Sequence, residues 1–191
     1  MRETIQNYFE KTKQYPNYYS NEDFSTICDG IKKEIGKGLF LVKRKDETDL
    51  SVFEEKYGYT LPTEINDYIN LFWHPCIRGY CNTKESIVLF SVLKKEGDSS
   101  DEILFYENSL ISMAKDWEKM GDIKKFIPIG WLGYSGGYVL YEVSSHNIFL
   151  ENMDIDGEVE DKPIANSLKE LINNMNVNPN IREKEENKCC L

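Results

Sequence analysis

Three groups of side chains in this 191-residue chain have types and spacings that could do chemistry. The first is Gly133-Tyr134-Ser135-Gly136-Gly137, which fits the pattern of a nucleophile elbow, a strained strand-to-helix turn that lifts a serine above a sheet. Here Tyr138 to Val143 read as a strand, and the only downstream histidine, His146, lies just past it. A Ser135-dependent hydrolase therefore lacks its structural context, and the segment reads as a glycine-rich, partly exposed loop. The second group, His74, Cys76 and Cys81, offers nitrogen and sulfur ligands, with Asp67 or His146 as a conceivable fourth. The paired Cys-x-x-Cys spacing of structural zinc sites is absent, so loop thiols are expected and no metal.

The third group is acidic. Glu151, Asp154, Asp156, Glu158, Glu160 and Asp161 place six acids and no base within 11 residues. Asp154-Ile155-Asp156-Gly157-Glu158 has some features of a calcium loop but lacks the distal bidentate glutamate. A solvated hairpin is one interpretation, and a docking surface for a basic partner is the other. Glu54 and Glu55 point about 100° apart on a helix and cannot converge on one substrate, so they read as helix-surface charge. Lys188 occupies the fourth position from the end, where prenylation needs cysteine, so Cys189 and Cys190 read as ordinary thiols. Neither a catalytic residue nor a cofactor is expected. The candidate partner-binding residues are Trp131, Tyr134 and Tyr138 around the glycine loop, and Asp154, Asp156, Glu158 and Glu160 on the following hairpin.

Those residues need a scaffold. Hydrophobic residues at 40% and aromatics at 13% suffice for one packed core with appendages. The net charge of −10 is uneven: residues 46–175 hold 24 acids against 11 bases, whereas residues 1–45 hold nine bases against six acids. An acidic body repels phosphate backbones, so direct nucleic-acid binding is disfavoured and a basic protein partner favoured. No apolar run approaches a membrane span and the N-terminus lacks a signal-peptide core, so the expected address is the cytosol. Five unpaired-looking cysteines agree with a reducing compartment.

Helical spacing predicts an amphipathic helix over residues 1–14 (Ile5, Tyr8, Phe9) and a second over about 22–35. Leu39 to Val42 reads as an edge strand or docking segment. A helix from Thr48 or Asp49, with Leu50, Phe53 and Tyr57 inward, stops at Gly58, and Pro62 opens the next, with Ile65, Tyr68, Ile69 and Phe72 inward. Strands are expected over 77–81 and 86–92, a charged loop over 94–101, and a helix through Leu110, Met113, Ala114 and Trp117. Further strands cover 126–130, 138–143 and 147–151. Asp156-Gly157 signals a hairpin, with Ile155 opposite Val159 favoured over Ile155 beside Glu158. A last helix runs from Pro163 to Met175, burying Ile164, Leu168, Leu171 and Ile172. The expected fold is α+β, with an antiparallel sheet of about five to six strands, helices packed on one face and an N-terminal helical extension.

At these residues the chain resembles the SUKH superfamily, which includes fungal cell-wall-assembly regulators (Smi/Knr-like), bacterial toxin-immunity proteins and the Syd-like SecY-interacting proteins. The resemblance rests on Phe53-Glu54-Glu55-Lys56-Tyr57-Gly58, Leu61-Pro62, Phe126-Ile127-Pro128-Ile129-Gly130, Gly136-Gly137-Tyr138-Val139-Leu140 and Ala165-Asn166-Ser167-Leu168, in that order. Trp73-His74-Pro75-Cys76 stands where members commonly carry Asn-Gly, and Gly137 where an acid is often found. The resemblance covers about residues 46–175, a SUKH-like α+β domain; the helical residues 1–45 then read as an N-terminal extension packed on the domain, and the polar residues 176–191 as a flexible tail. The resemblance also implies a non-enzymatic protein-binding role, either an immunity protein that neutralises a toxin domain such as a nuclease, or a regulatory scaffold of the cell-wall-assembly type.

Overall fold

The computed structural model describes residues 1–15, 18–19, 41–94, 103 and 109–178. Among them are five helices and two antiparallel sheets, the α+β architecture that the sequence predicts. The expected helix over 22–35, the loop over 95–101 and the tail with Cys189 and Cys190 lie outside the described residues.

Helix α1 (Arg2–Thr12) buries Ile5, Tyr8, Phe9 and Thr12, one stripe at helical spacing, with Glu3 in the first turn and Lys11 in the last. It packs along the final helix, α5 (Leu168–Asn174), where Lys11 Nζ donates to Asn173 O at 2.9 Å. Ile5, Tyr8 and Phe9 belong to the same buried cluster as Leu61, Tyr68, Ile129 and Leu168, so α1 is part of the core. Strand β1 (Val42–Lys43) pairs with β2 (Phe72–Trp73) in a small separate ribbon.

Helix α2 (Ser51–Tyr57) starts two to three residues after the expected Asp49 or Thr48, and Asp49 Oδ1 accepts from Ser51 N at 2.9 Å. Gly58 ends it at φ 75°, a conformation that costs a residue with a Cβ about 1 kcal/mol or more. Helix α3 (Thr63–Asn70) follows with Pro62 as its N-cap, not its first turn, and buries Ile65, Tyr68 and Ile69. The tight turn between the two is tied by Glu54, whose Oε1 accepts from Leu61 N at 2.8 Å. Glu54 is therefore a turn clamp, not mere surface charge; Glu55 is the exposed one of the pair.

The main sheet is a meander in chain order: β3 (Ile77–Gly79), β4 (Ile87–Leu89), β5 (Phe126–Leu132), β6 (Tyr138–Glu142) and β7 (Ile148–Leu150). Helix α4 (Leu110–Trp117) packs on β5. Val139, Leu140 and Tyr141 are consecutive and all buried, so the middle of the sheet is covered on both faces. The outer edge of β7 is closed by Ile164 N to Ile148 O and Ile148 N to Ala165 O, both 2.8 Å.

That pairing corrects the expected last helix. Residues 164–165 act as an edge segment, and α5 begins only at Leu168, with Ser167 Oγ accepting from Glu170 N at 3.0 Å. The domain also runs past Met175: Asn176 pairs with Tyr80 and Val177 is buried, because the edge of β3 needs partners for its backbone groups.

Candidate functional site

The glycine segment is the turn between β5 and β6. Leu132 N donates to Gly137 O at 2.7 Å and Gly136 N to Leu132 O at 3.0 Å, closing the loop on itself. Gly133 N donates to Ser86 O at 2.8 Å, joining the turn to the segment leading into β4. From that segment Glu85 reaches across: its Oε2 accepts from Tyr134 N at 2.9 Å and from Ser135 N at 2.7 Å. One carboxylate thus holds two adjacent amides at the tip, and Tyr134 stands above them 90% exposed.

This arrangement bears on Ser135. The turn joins strand to strand, whereas an elbow requires strand to helix. The amide that an elbow would turn to an oxyanion, that of Gly136 after the serine, already donates to Leu132 O, and the amide of Ser135 itself donates to Glu85. His146 lies in the turn after β6, its ring 5.8 Å from that of Tyr141, and no hydrogen bond joins it to Ser135 among the described residues.

Trp131 and Tyr138 are cross-strand partners at the base of the turn and are half-buried, unlike Tyr134. Tyr138 meets the buried Trp117 edge-on at 5.8 Å. Burial, with Asp116 and Glu151 adding to it, raises its hydroxyl above the ordinary tyrosine range. Glu151 is itself almost buried, and its Oε2 accepts from Tyr138 N at 2.8 Å. These two aromatics support the turn more than they project from it.

The acidic hairpin differs from expectation. Val159 pairs with Glu151, not with Ile155, and the connection is a seven-residue loop over 152–158. It is held by Asn152 N to Glu158 O (3.0 Å), Ile155 N to Asn152 O (3.2 Å) and Glu158 N to Ile155 O (3.1 Å). The physical reason lies in Glu151, whose N donates to Tyr138 O and whose carboxylate binds the same residue, so the ladder can close only there. Asp154, Asp156, Glu158 and Glu160 are all exposed, and none forms an ion pair among the described residues.

His74 and the two loop thiols do not assemble into a ligand set. His74 is fully buried, with Nδ1 2.8 Å from Pro75 O and Nε2 3.4 Å from Tyr68 O, its ring packed against Tyr68 and Phe9. Desolvation pulls its pKa down to about 4, so it is neutral at pH 7. Cys81 is buried too, which pushes its thiol up, and Glu170 adds to the effect. Among the described residues no group of His, Cys, Asp and Glu could hold a metal ion, the acidic loop included.

The sequence reading missed Arg44. It is buried, donates through Nη1 to Ile69 O at 2.7 Å at the end of α3, and lies 3.9 Å over the Trp73 ring. It joins β1 to α3 from inside, which only a buried partner for its charge could have signalled. Among the described residues no helix is long and apolar enough to cross a membrane.

No family model matches the chain, and neither a curated protein nor a solved structure matches it. By its geometry the site presents an exposed aromatic ring, on a turn held by Glu85, beside a loop whose acids form no ion pair among the described residues.

Proposed function

We propose that this chain is a SUKH-like protein-binding domain that works by occupancy and without turnover. Its role in this reading is that of an immunity protein, lying over the basic groove of a toxin domain such as a nuclease, in the cytosol. The observation that carries the proposal is Tyr134, 90% exposed on a turn whose tip amides are held by Glu85. An aromatic ring presented on a preorganised loop loses little entropy on binding and gives the contact area typical of an interface anchor. The neighbouring Asp154, Asp156, Glu158 and Glu160 would draw in a cationic partner and fix its orientation.

The two classes of residue should fail differently against a purified basic toxin domain encoded beside this chain. Surface plasmon resonance at two salt concentrations should show Tyr134→Ala mainly speeding dissociation. Replacing the four acids with Asn or Gln should mainly slow association and flatten its salt dependence. Salt-insensitive association by the parent protein would remove the electrostatic half of the proposal. Ester hydrolysis that disappears in Ser135→Ala would replace binding with catalysis.

A further inference from the structure

Exposed large apolar side chains among the described residues are few: Tyr134 (90%), Ile155 (55%), Met153 (53%), Val52 (45%) and Met120 (42%). All but Val52 lie on three segments, of which the loop over 152–158 touches the other two. Met153 sits on the glycine turn, since a Cβ on Gly137 would come within 2.3 Å of its Sδ. Gly157, at φ 78°, lies on the end of α4, where an added Cβ would be 1.9 Å from Met120 O and 3.3 Å from Gly121 N. The turn, the loop over 152–158 and the α4 terminus are thereby one continuous surface. Beneath it Trp117 is wholly buried, its indole packed on Gly121 and its Nε1 without a hydrogen-bond partner among the described residues.

We infer that this surface is an apolar docking site, anchored by Met120, Met153 and Ile155 together with Tyr134, for a short apolar segment flanked by lysine or arginine on a basic protein. The inference rests on the binding proposal above and adds to it where the contact energy comes from. Four exposed apolar side chains carried by neighbouring segments differ from the scattered single ones of an ordinary surface. Methionine is an adaptable contact residue, suited to a partner chain of irregular shape. Charge selects the occupant. The acids at 154, 156, 158 and 160 alternate with Ile155 or follow it closely and form no ion pair among the described residues. They repel an anionic lipid surface, and at a net charge of −10 they repel a second copy of this chain. A cationic, partly apolar segment satisfies both features at once.

The test uses the full chain and three probes: a lysine–leucine peptide of amphipathic helical spacing, a lysine-only peptide of equal charge, and phosphatidylserine–phosphatidylcholine vesicles. The parent chain is expected to bind the lysine–leucine peptide most tightly. The Met153→Ser/Ile155→Ser double variant, with its melting temperature checked against the parent, is expected to weaken that binding about tenfold or more through faster dissociation. Val52→Ser, on the α2 surface, is expected to change nothing. Equal binding of both peptides, or an unchanged Kd in the double variant, overturns the inference while leaving a purely electrostatic basic-partner reading in place. Failure of the parent to bind either peptide overturns both. Vesicle binding or self-association that the double variant abolishes would reassign the face to a membrane or to a second copy.

Discussion

The hydroxyl of Tyr8 stands in for a missing strand beside Arg78: it donates to Arg78 O and accepts from Arg78 N, each at 2.8 Å. Tyr18 also donates to Arg78 O, and Tyr19 donates to Cys76 O at 2.7 Å. Asn176 completes the row by pairing with Tyr80. The outer edge of β3 is closed by side-chain hydroxyls and one backbone bridge, so it offers no free ladder to another chain.

Tyr8→Phe tests that closure. The ring is 1% exposed and its packing survives in Phe, but Arg78 N loses its acceptor. Losing one part-buried hydrogen bond costs about 0.5–1.5 kcal/mol. Urea unfolding should show a loss of that size, with faster hydrogen exchange at the Arg78 amide; unchanged exchange there would mean that water replaces the hydroxyl.

Leu168→Ala should be among the more damaging single changes. Leu168 is 2% exposed at the start of α5, and its N donates to Glu64 Oε2 at 3.0 Å, so helix and core meet at this residue. Lost burial plus a residual cavity predict a cost of ~2–5 kcal/mol. A change within error would show that α5 does not dock as described.

Acid should destabilise the fold through His74. Its folded pKa of about 4 lies below the ~6.5 of an unfolded histidine, so the unfolded chain binds the extra proton first. The contribution is fully present above pH ~6.5 and is lost as pH falls toward 4, to a limit of ~3 kcal/mol. Unfolding free energies at several pH values should decline across that window in the parent and less steeply in His74→Gln. Equal slopes would assign the acid sensitivity to other groups.

Glu85→Ala should free the binding turn without unfolding the domain. The amides of Tyr134 and Ser135 lose their common acceptor and should exchange faster, while global stability falls by no more than about 1–3 kcal/mol. Ser135→Ala, which keeps the amide, should leave exchange at Tyr134 unchanged.

Sequence alone determined the elements whose signals are local. The stripes of α1, α3 and α4, the stop at Gly58 and the apolar runs of β5 and β6 depend on periodicity and backbone conformation within a few residues. The start of α5 was also within reach, because Ser167 followed by Glu170 is a capping pattern; the apolar Ile164 drew the expected helix too far forward. Tertiary structure decided where the carboxylates go. Glu54, Glu64, Glu85 and Glu151 each accept backbone amides from 7 to 104 residues away, so part of the acidity that reads as surface charge is bound internally. The loop over 152–158 followed from one such bond, at Glu151, which set the ladder against the local hairpin signal. The placing of Met120, Met153, Ile155 and Tyr134 on neighbouring segments has the same origin: hydrophobicity patterns specify what is apolar, and only the packing of the 152–158 loop on the β5–β6 turn and on the end of α4 leaves these side chains exposed there.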